Sequence, residues 1–303
     1  MLEVSRRSFL AQGTAVAAAT LVPGQAFARR LKFPPGIQLW TVKDDMARDP
    51  EGTLKALGAM GYKRVEAAGW HGRTSQQFKA MVKAAGLDCV SAHYGLKDLI
   101  DDAEGKLTFA RDVGVKYVVA SSPAPPRPLD ASKPWPVAVA EAMTLDAWRS
   151  NAAEMDKIGK RARELGLRFG YHNHSAELLD YSGAMPLAEI VRLTDPAHVA
   201  LELDIGWVAS AGYDPVTIID GFAPRIHLLH IKDQVSAERV PGKMIEDTRT
   251  TVIGQGTIDW KAAFRALRKS PVYSYFIEQE EPFTEAPLDA ARKSLAYMRN
   301  LSI

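Results

Sequence analysis

An eightfold alternation constrains this chain more than any other feature. After Pro35, short runs rich in β-branched and aromatic residues recur between longer amphipathic stretches. The short runs are GIQLWT (36–41), YKRVEAA (62–68), DCVSAHY (88–94), KYVVAS (116–121), LRFGYHNH (167–174), HVALELD (198–204), IHLLHIK (226–232) and YSYFIEQ (273–279). Their length and composition predict strands. A segment with helical spacing follows each: EGTLKALGAMG closing at Gly61, SQQFKAMVKAAG from Ser75 to Gly86, then 98–113, 144–165, 185–193, 215–222, 259–269 and 286–301. Thr144 is an N-cap for the fourth, and Gly61 and Gly86 are stops for the first two. Strands and helices alternating in this way predict an α/β fold: a (β/α)8 barrel, a single domain over 34–303. The alternative is a doubly wound open sheet. No GxGxxG follows the first strand, which argues against its dinucleotide-binding form.

At 303 residues and 47% hydrophobic, the chain can bury a full core. A formal net charge of +2 gives no electrostatic case for nucleic acid or an anionic membrane as partner. The single cysteine, Cys89, excludes an internal disulfide, and its apolar setting predicts a packed core residue. Residues 1–28 predict a twin-arginine (Tat-type) signal: Arg6 and Arg7, then Phe9 and Leu10, the apolar TAVAAATLV, and Ala26 and Ala28 at a small-x-small cleavage site. The apolar stretch is too short for a stable membrane anchor. The expected location is therefore periplasmic or secreted. That export route carries folded proteins, so a cofactor loaded before export is worth seeking.

Two long loops, 121–143 and 233–260, follow strands four and seven. Both leave C-terminal strand ends, where barrel enzymes keep their chemistry, as lids or as plain surface excursions. The strand ends are rich in metal-ligand types. They carry Gln38 and Trp40, Glu66, His93, His172 and His174, Asp204, His230 and Lys232, and Glu278. In a strand running to 174, His172 and His174 share a face. Such groups are costly to bury unless paired or metal-bound. Mixed nitrogen and oxygen donors suit Mn, Zn, Co or Fe better than Ca.

The stretches GIQLWTV, GYKRVEAAGW, YHNHSAEL, LELDIGW, IHLLHIKD, IGQGTIDW and FIEQEEP occur in an order that resembles the sugar phosphate isomerase/epimerase family, the xylose isomerase-like TIM barrels. The resemblance covers roughly 34–300. It implies a divalent metal held from strands five to eight, at His172, Asp204, His230 and Glu278. His172 stands where many members carry Glu, and His174 is its rival as ligand. In the ketose epimerases of the family, that Glu and the strand-eight Glu exchange the substrate proton. The broken pair weakens two-base epimerisation. It leaves isomerisation, elimination or hydrolysis of a sugar, keto sugar or cyclitol through an enediolate-like intermediate.

On this reading Glu278, or the unligated one of His172 and His174, moves protons. Lys232 stabilises an oxyanion, or else forms a solvated ion pair with Asp233. Gln38, Glu66 and His93 hold substrate hydroxyls. Trp40, Trp70 and Trp207 stack on sugar faces or simply pack. GQG at 254–256 reads as a turn and helix entry. The rival functions are a catalytically silent periplasmic sugar-binding barrel and an AP endonuclease on the same fold. The small His count and near-neutral charge argue against the endonuclease. The expected partner is a small carbohydrate, with self-association left open.

Overall fold

A computed structural model describes residues 33–236, 240–243 and 249–303. The expected signal segment, 1–28, lies outside the described residues. Eight parallel strands close into a barrel: Gly36–Gln38, Arg64–Ala67, Asp88–Tyr94, Tyr117–Ala120, Arg168–His172, Val199–Asp204, Ile226–Ile231 and Ser274–Ile277. Each pairs with the next in sequence, and the eighth pairs with the first through Gly36–Phe276 and Ile37–Ile277. Helices surround them, so the barrel expected from the alternation is the fold.

Two separate apolar clusters follow from the two-residue period of the strands. Leu201, Leu203, Leu229, Ile231, Tyr275 and Ile277 belong to the large cluster between barrel and helices. Val90, Tyr117, Val119, Ala200, Leu228 and Phe276 form a small one inside the barrel. Continuing the inward period by two residues reaches Glu202, His230 and Glu278. Continuing by four reaches Asp204, Lys232 and Glu280. The interior is thus apolar below and ionisable above. In the third strand Val90 and His93 are oddly spaced. The register skips there, with Val65 beside Cys89 and Glu66 beside Ser91, so an extra residue re-aims the strand.

Several strands stop earlier than their apolar runs. The first gives way after Gln38 to a 3-10 turn, Leu39–Val42, because the Gln38 side chain accepts from Trp40 N–H at 3.1 Å. The fifth stops at His172, because side chains replace the ladder. Asn173 Oδ1 accepts from Asp204 N–H at 3.0 Å, and Glu177 Oε2 accepts from His174 N–H at 3.0 Å. Asp204 ends the sixth strand and caps a short helix, Ile205–Ser210, accepting from Trp207 N–H at 2.8 Å. The loop at 121–143 contains an unforeseen helix, Trp135–Ala142. The expected helix over 98–113 is two, Leu96–Asp101 and Ala103–Val113, divided at Asp102, which caps the second. Cys89 is buried as expected, and burial pushes its thiol far above the ordinary range.

Candidate active site

The upper interior holds two linked groups of side chains. The upper group unites the four positions named as metal ligands. His172 Nε2 lies 4.0 Å from Asp204 Oδ2, His230 Nδ1 lies 3.8 Å from that oxygen, and His230 Nδ1 lies 2.9 Å from Glu278 Oε2. All four residues are buried. Asp204, His230 and Glu278 are close enough for one metal ion.

Lys232 is fully buried in the same group. Its ammonium is 3.0 Å from Asp204 and 2.8 Å from Glu278, and it also pairs with Glu280. This differs from an ion pair with Asp233. That carboxylate turns away and accepts from Gly254 N–H at 2.8 Å, Gly256 N–H at 3.2 Å and Trp260 Nε1–H at 3.0 Å. The GQG segment is therefore a turn closed on an internal anion. A Cβ at Gly256 would fall 2.1 Å from Asp233 Oδ1. Space for the lysine stem depends on another glycine: a Cβ at Gly206 would lie 2.7 Å from Lys232 Cβ.

The lower group is His93, His172, Glu202 and His230, with Glu66. His93 Nε2 is 2.6 Å from Glu202 Oε2 and 3.1 Å from Glu66 Oε2. His230 Nε2 is 2.6 Å from Glu66 Oε2, and Gln38 Nε2 donates to the same oxygen at 2.8 Å. Gln38 and Glu66, expected on substrate hydroxyls, instead support His230 from beneath and do not line the cavity. Their arrangement fixes the imidazole: with Nε2–H donated to Glu66, Nδ1 faces Asp204 and Glu278. Glu202 was missed, although it sits two residues before Asp204 in ELD and so shares its face.

The charges separate sharply within this space. Burial pushes the Lys232 ammonium down, but Asp204, Glu278 and Glu280 outweigh it and hold its pKa well above the ordinary value. Burial likewise opposes the His230 cation, while Glu202 and Glu278 raise it well above the usual range. Burial raises Glu278, yet Lys232 and His230 bring it well below a normal carboxylate. Glu202 is pushed up to about 7 by burial and by the neighbouring Glu66 charge. His93 is raised to about 9 because Glu66 and Glu202 outweigh its burial. His172 and His174 go the other way: burial first, then nearby cations, holds both imidazoles neutral.

A divalent cation fits these residues. Glu66 Oε1, Glu202 Oε1, Asp204 Oδ2 and His172 Nδ1 are buried without a hydrogen-bond donor, although Asp204 Oδ2 has the Lys232 charge beside it. Several buried carboxylates and imidazoles are the donors that Mn, Zn, Co or Fe takes. Asp204, His230 and Glu278 could hold the ion together, with His172 beside Asp204. His174 lies past the strand, yet its ring comes within 4.8 Å of His172.

Above the two groups opens a cavity of about 660 Å³. Its lining includes Trp40, His93, Asp98, Trp135, His172, His174, Trp207, Glu278 and Glu280. Trp40 and Trp207 are thus where stacking was expected. Trp70 is not in the lining: it packs on Phe78 and Phe109, and its N–H donates to Tyr94 Oη at 3.0 Å. Glu280 and Trp135 are cavity residues that sequence reasoning did not select. Glu280 continues the inward period of Phe276 and Glu278, a signal that was available. Trp135 falls in the long 121–143 segment, whose sequence pattern offered none.

Residues 54–301 match the family described as Xylose isomerase-like TIM barrel. An inosose dehydratase of Lacticaseibacillus casei is 32% identical over 168 residues, which span 51% of this chain and 55% of that protein. The chain thus spans about half the length of that relative. An inosose dehydratase of Bacillus thuringiensis (strain Al Hakam) is 25% identical over 290 residues, covering 86% of this chain and 93% of the relative. Among solved structures, a sugar phosphate isomerase/epimerase from Parabacteroides distasonis superposes with a TM-score of 0.70 at 21% identity, covering 93% and 96% of the two chains. A zinc-bound IOLI protein superposes with a TM-score of 0.61 at 16% identity, covering 88% and 97%.

Proposed function

This chain belongs to the xylose isomerase-like TIM barrel family, and from that premise we propose a divalent-metal-dependent lyase acting on a keto sugar or keto cyclitol. The observation that carries the proposal is the meeting of His172, Asp204, His230 and Glu278 beneath one cavity. The relatives named inosose dehydratase support elimination of water as the reaction type. Asp98 and Glu278 in the lining disfavour a phosphorylated substrate by like-charge repulsion. A histidine at 172, in place of a second carboxylate, favours elimination over two-base epimerisation.

A bound divalent ion supplies Lewis acidity at a ketone oxygen and offsets charge that develops there. The chain's own groups handle the protons. His174, neutral and with Nδ1 unpartnered, takes the proton from the carbon beside the ketone. The electron pair left behind forms the carbon–carbon double bond as the β-hydroxyl leaves. Glu280 lines the cavity and burial raises its pKa despite Lys232; in its protonated form it gives its own proton to that hydroxyl, which departs as water. Loss of the proton from His174 and uptake of one by Glu280 from solvent reset the site. Lys232 keeps Glu278 ionised and Glu280 in place. Trp207, deep in the cavity wall, packs against the apolar face of the reacting ring.

The deciding experiment incubates the Mn-loaded protein with inosose and follows water loss by mass and NMR, with and without chelator. Chelator-sensitive formation of the dehydrated product is expected. Saturable binding without turnover would overturn the lyase reading in favour of a silent binding barrel. We also propose export by the twin-arginine route, on the order of arginine pair, apolar stretch and small-residue site within residues 1–28. Loss of export on replacing Arg6 and Arg7 with Lys would support it.

A further inference from the structure

Of the six tryptophans, Trp148, Trp207 and Trp260 are buried and Trp70 is half-buried in an aromatic cluster. The remaining two, Trp40 at 48% and Trp135 at 37% exposure, are the exposed ones, and both line the same cavity. They approach it from well-separated parts of the barrel rim: Trp40 from the turn after strand one, Trp135 from the helix inserted after strand four. Large indole faces left in water sacrifice apolar burial, so a pair of them around one opening marks a binding surface. Each is braced: Lys43 Nζ lies 4.8 Å from the Trp40 ring, and Trp135 lies 4.5 Å from the His174 ring. Deeper in the wall, Trp207 has a buried Nε1–H with no partner.

The cavity therefore has two chemistries at two depths. The floor of His93, His172 and Glu278 is polar and buried or half-buried, and suits one hydroxyl-bearing ring. The mouth is aromatic and wet. At about 660 Å³ the space lies well within the range for ligands larger than a single ring. We propose that Trp40 and Trp135 form a second subsite, and that the substrate is a glycoside carrying a further flat ring beyond the reacting sugar. The floor takes the reacting ring, and the mouth stacks the attached one, aromatic or pyranose, through its apolar face. This rests on the reading that the floor receives a sugar-like ring, but not on any turnover.

The test is calorimetric binding of methyl β-glucoside, phenyl β-glucoside and cellobiose to the full chain. Either two-ring ligand should bind about five- to tenfold tighter than methyl β-glucoside, as stacking alone provides. Gain for the phenyl ligand alone assigns the mouth to an aromatic group, and gain for cellobiose alone assigns it to a second sugar. Trp135→Ala and Trp40→Ala should each bring the ratio toward one with the methyl glucoside affinity unchanged. Trp135→Phe should keep the ratio and guards against misfolding, which circular dichroism also reads. Equal affinities in the unaltered protein, or no measurable binding of any of the three, would overturn the proposal. So would tryptophan variants that weaken all three ligands alike. Failure of the lyase reading, by contrast, would show as absent turnover with the binding ratio intact.

Discussion

His227 and His230 stand on one strand, at opposite ends of the barrel interior, and carry opposite electrostatic burdens. His227 is held down to about 4 by partial burial and by the Arg168 and Arg225 charges, and its Nδ1 lies 3.1 Å from Tyr117 Oη. His230 is more deeply buried, yet Glu202 and Glu278 hold it well above the usual range. Burial alone pushes both the same way, so the neighbours decide. Around His227 the neighbours are cations and tyrosines; around His230 they are carboxylates. Between the two ends sits the apolar layer of Val119, Ala200, Leu228 and Phe276. It separates the two polar ends. Among buried side chains charged groups interact more strongly than in water.

The comparison breaks most decisively at the upper histidine. His230→Gln should abolish retention of a stoichiometric divalent ion after gel filtration, read by elemental analysis. A full equivalent of ion in the variant would remove His230 from the ligand set. Next in size is Lys232→Met, which leaves Asp204, Glu278 and Glu280 facing one another without their cation. The metal-free variant should lose about 3–5 kcal/mol of stability, the usual result of stripping one partner from a buried ion cluster. Added Mn should restore its Tm more than it raises that of the unaltered protein. A variant as stable as its parent would show that the ammonium carries no such burden.

Glu66→Gln tests the support beneath His230. Metal affinity should fall about 10–100-fold, as for other groups that orient a ligating imidazole. Competitive titration measures it, and an unchanged affinity would reduce Glu66 to packing. The smallest effect belongs at the other end. His227→Gln should leave metal content intact and alter only the acid limb of stability. A depressed folded pKa means the unfolded chain binds more protons between about 6.5 and 4. Stability contributed by the neutral imidazole is present above that window and is lost as pH falls through it. The variant should therefore unfold less steeply over that range in pH-dependent melting, and an unchanged slope would count against the assigned shift.

Much of this site could be read in the chain because strands have a strict period of two. Once Asp204 and Glu278 are placed facing inward, Glu202 must share the face of Asp204 within its strand, and Glu280 is predicted on the side of Glu278 just past the end of the eighth strand. Strand length was the weaker inference. His174 belonged to an apolar run that looked continuous, but Asn173 and Glu177 supply side-chain hydrogen bonds that end the ladder at His172. The outcome for Lys232 was out of reach. Its neighbour Asp233 offered an ion pair in sequence, whereas the chain returns at 254–260 with backbone and indole N–H groups that capture that carboxylate.

The sequence by itself determined the barrel, the strands that build it and the inward positions that carry imidazole and carboxylate. Those follow from local periodicity, which each segment expresses on its own. Only the tertiary structure decided what each inward group does. It put Gln38 and Glu66 under His230, set Lys232 among three carboxylates, and brought Trp40 and Trp135 to one opening. Those outcomes depend on which strands are neighbours around a closed ring and on the depth of each residue within it. Closure joins residues far apart in the chain, as when Glu66 meets His230, and no local pattern encodes such a distance.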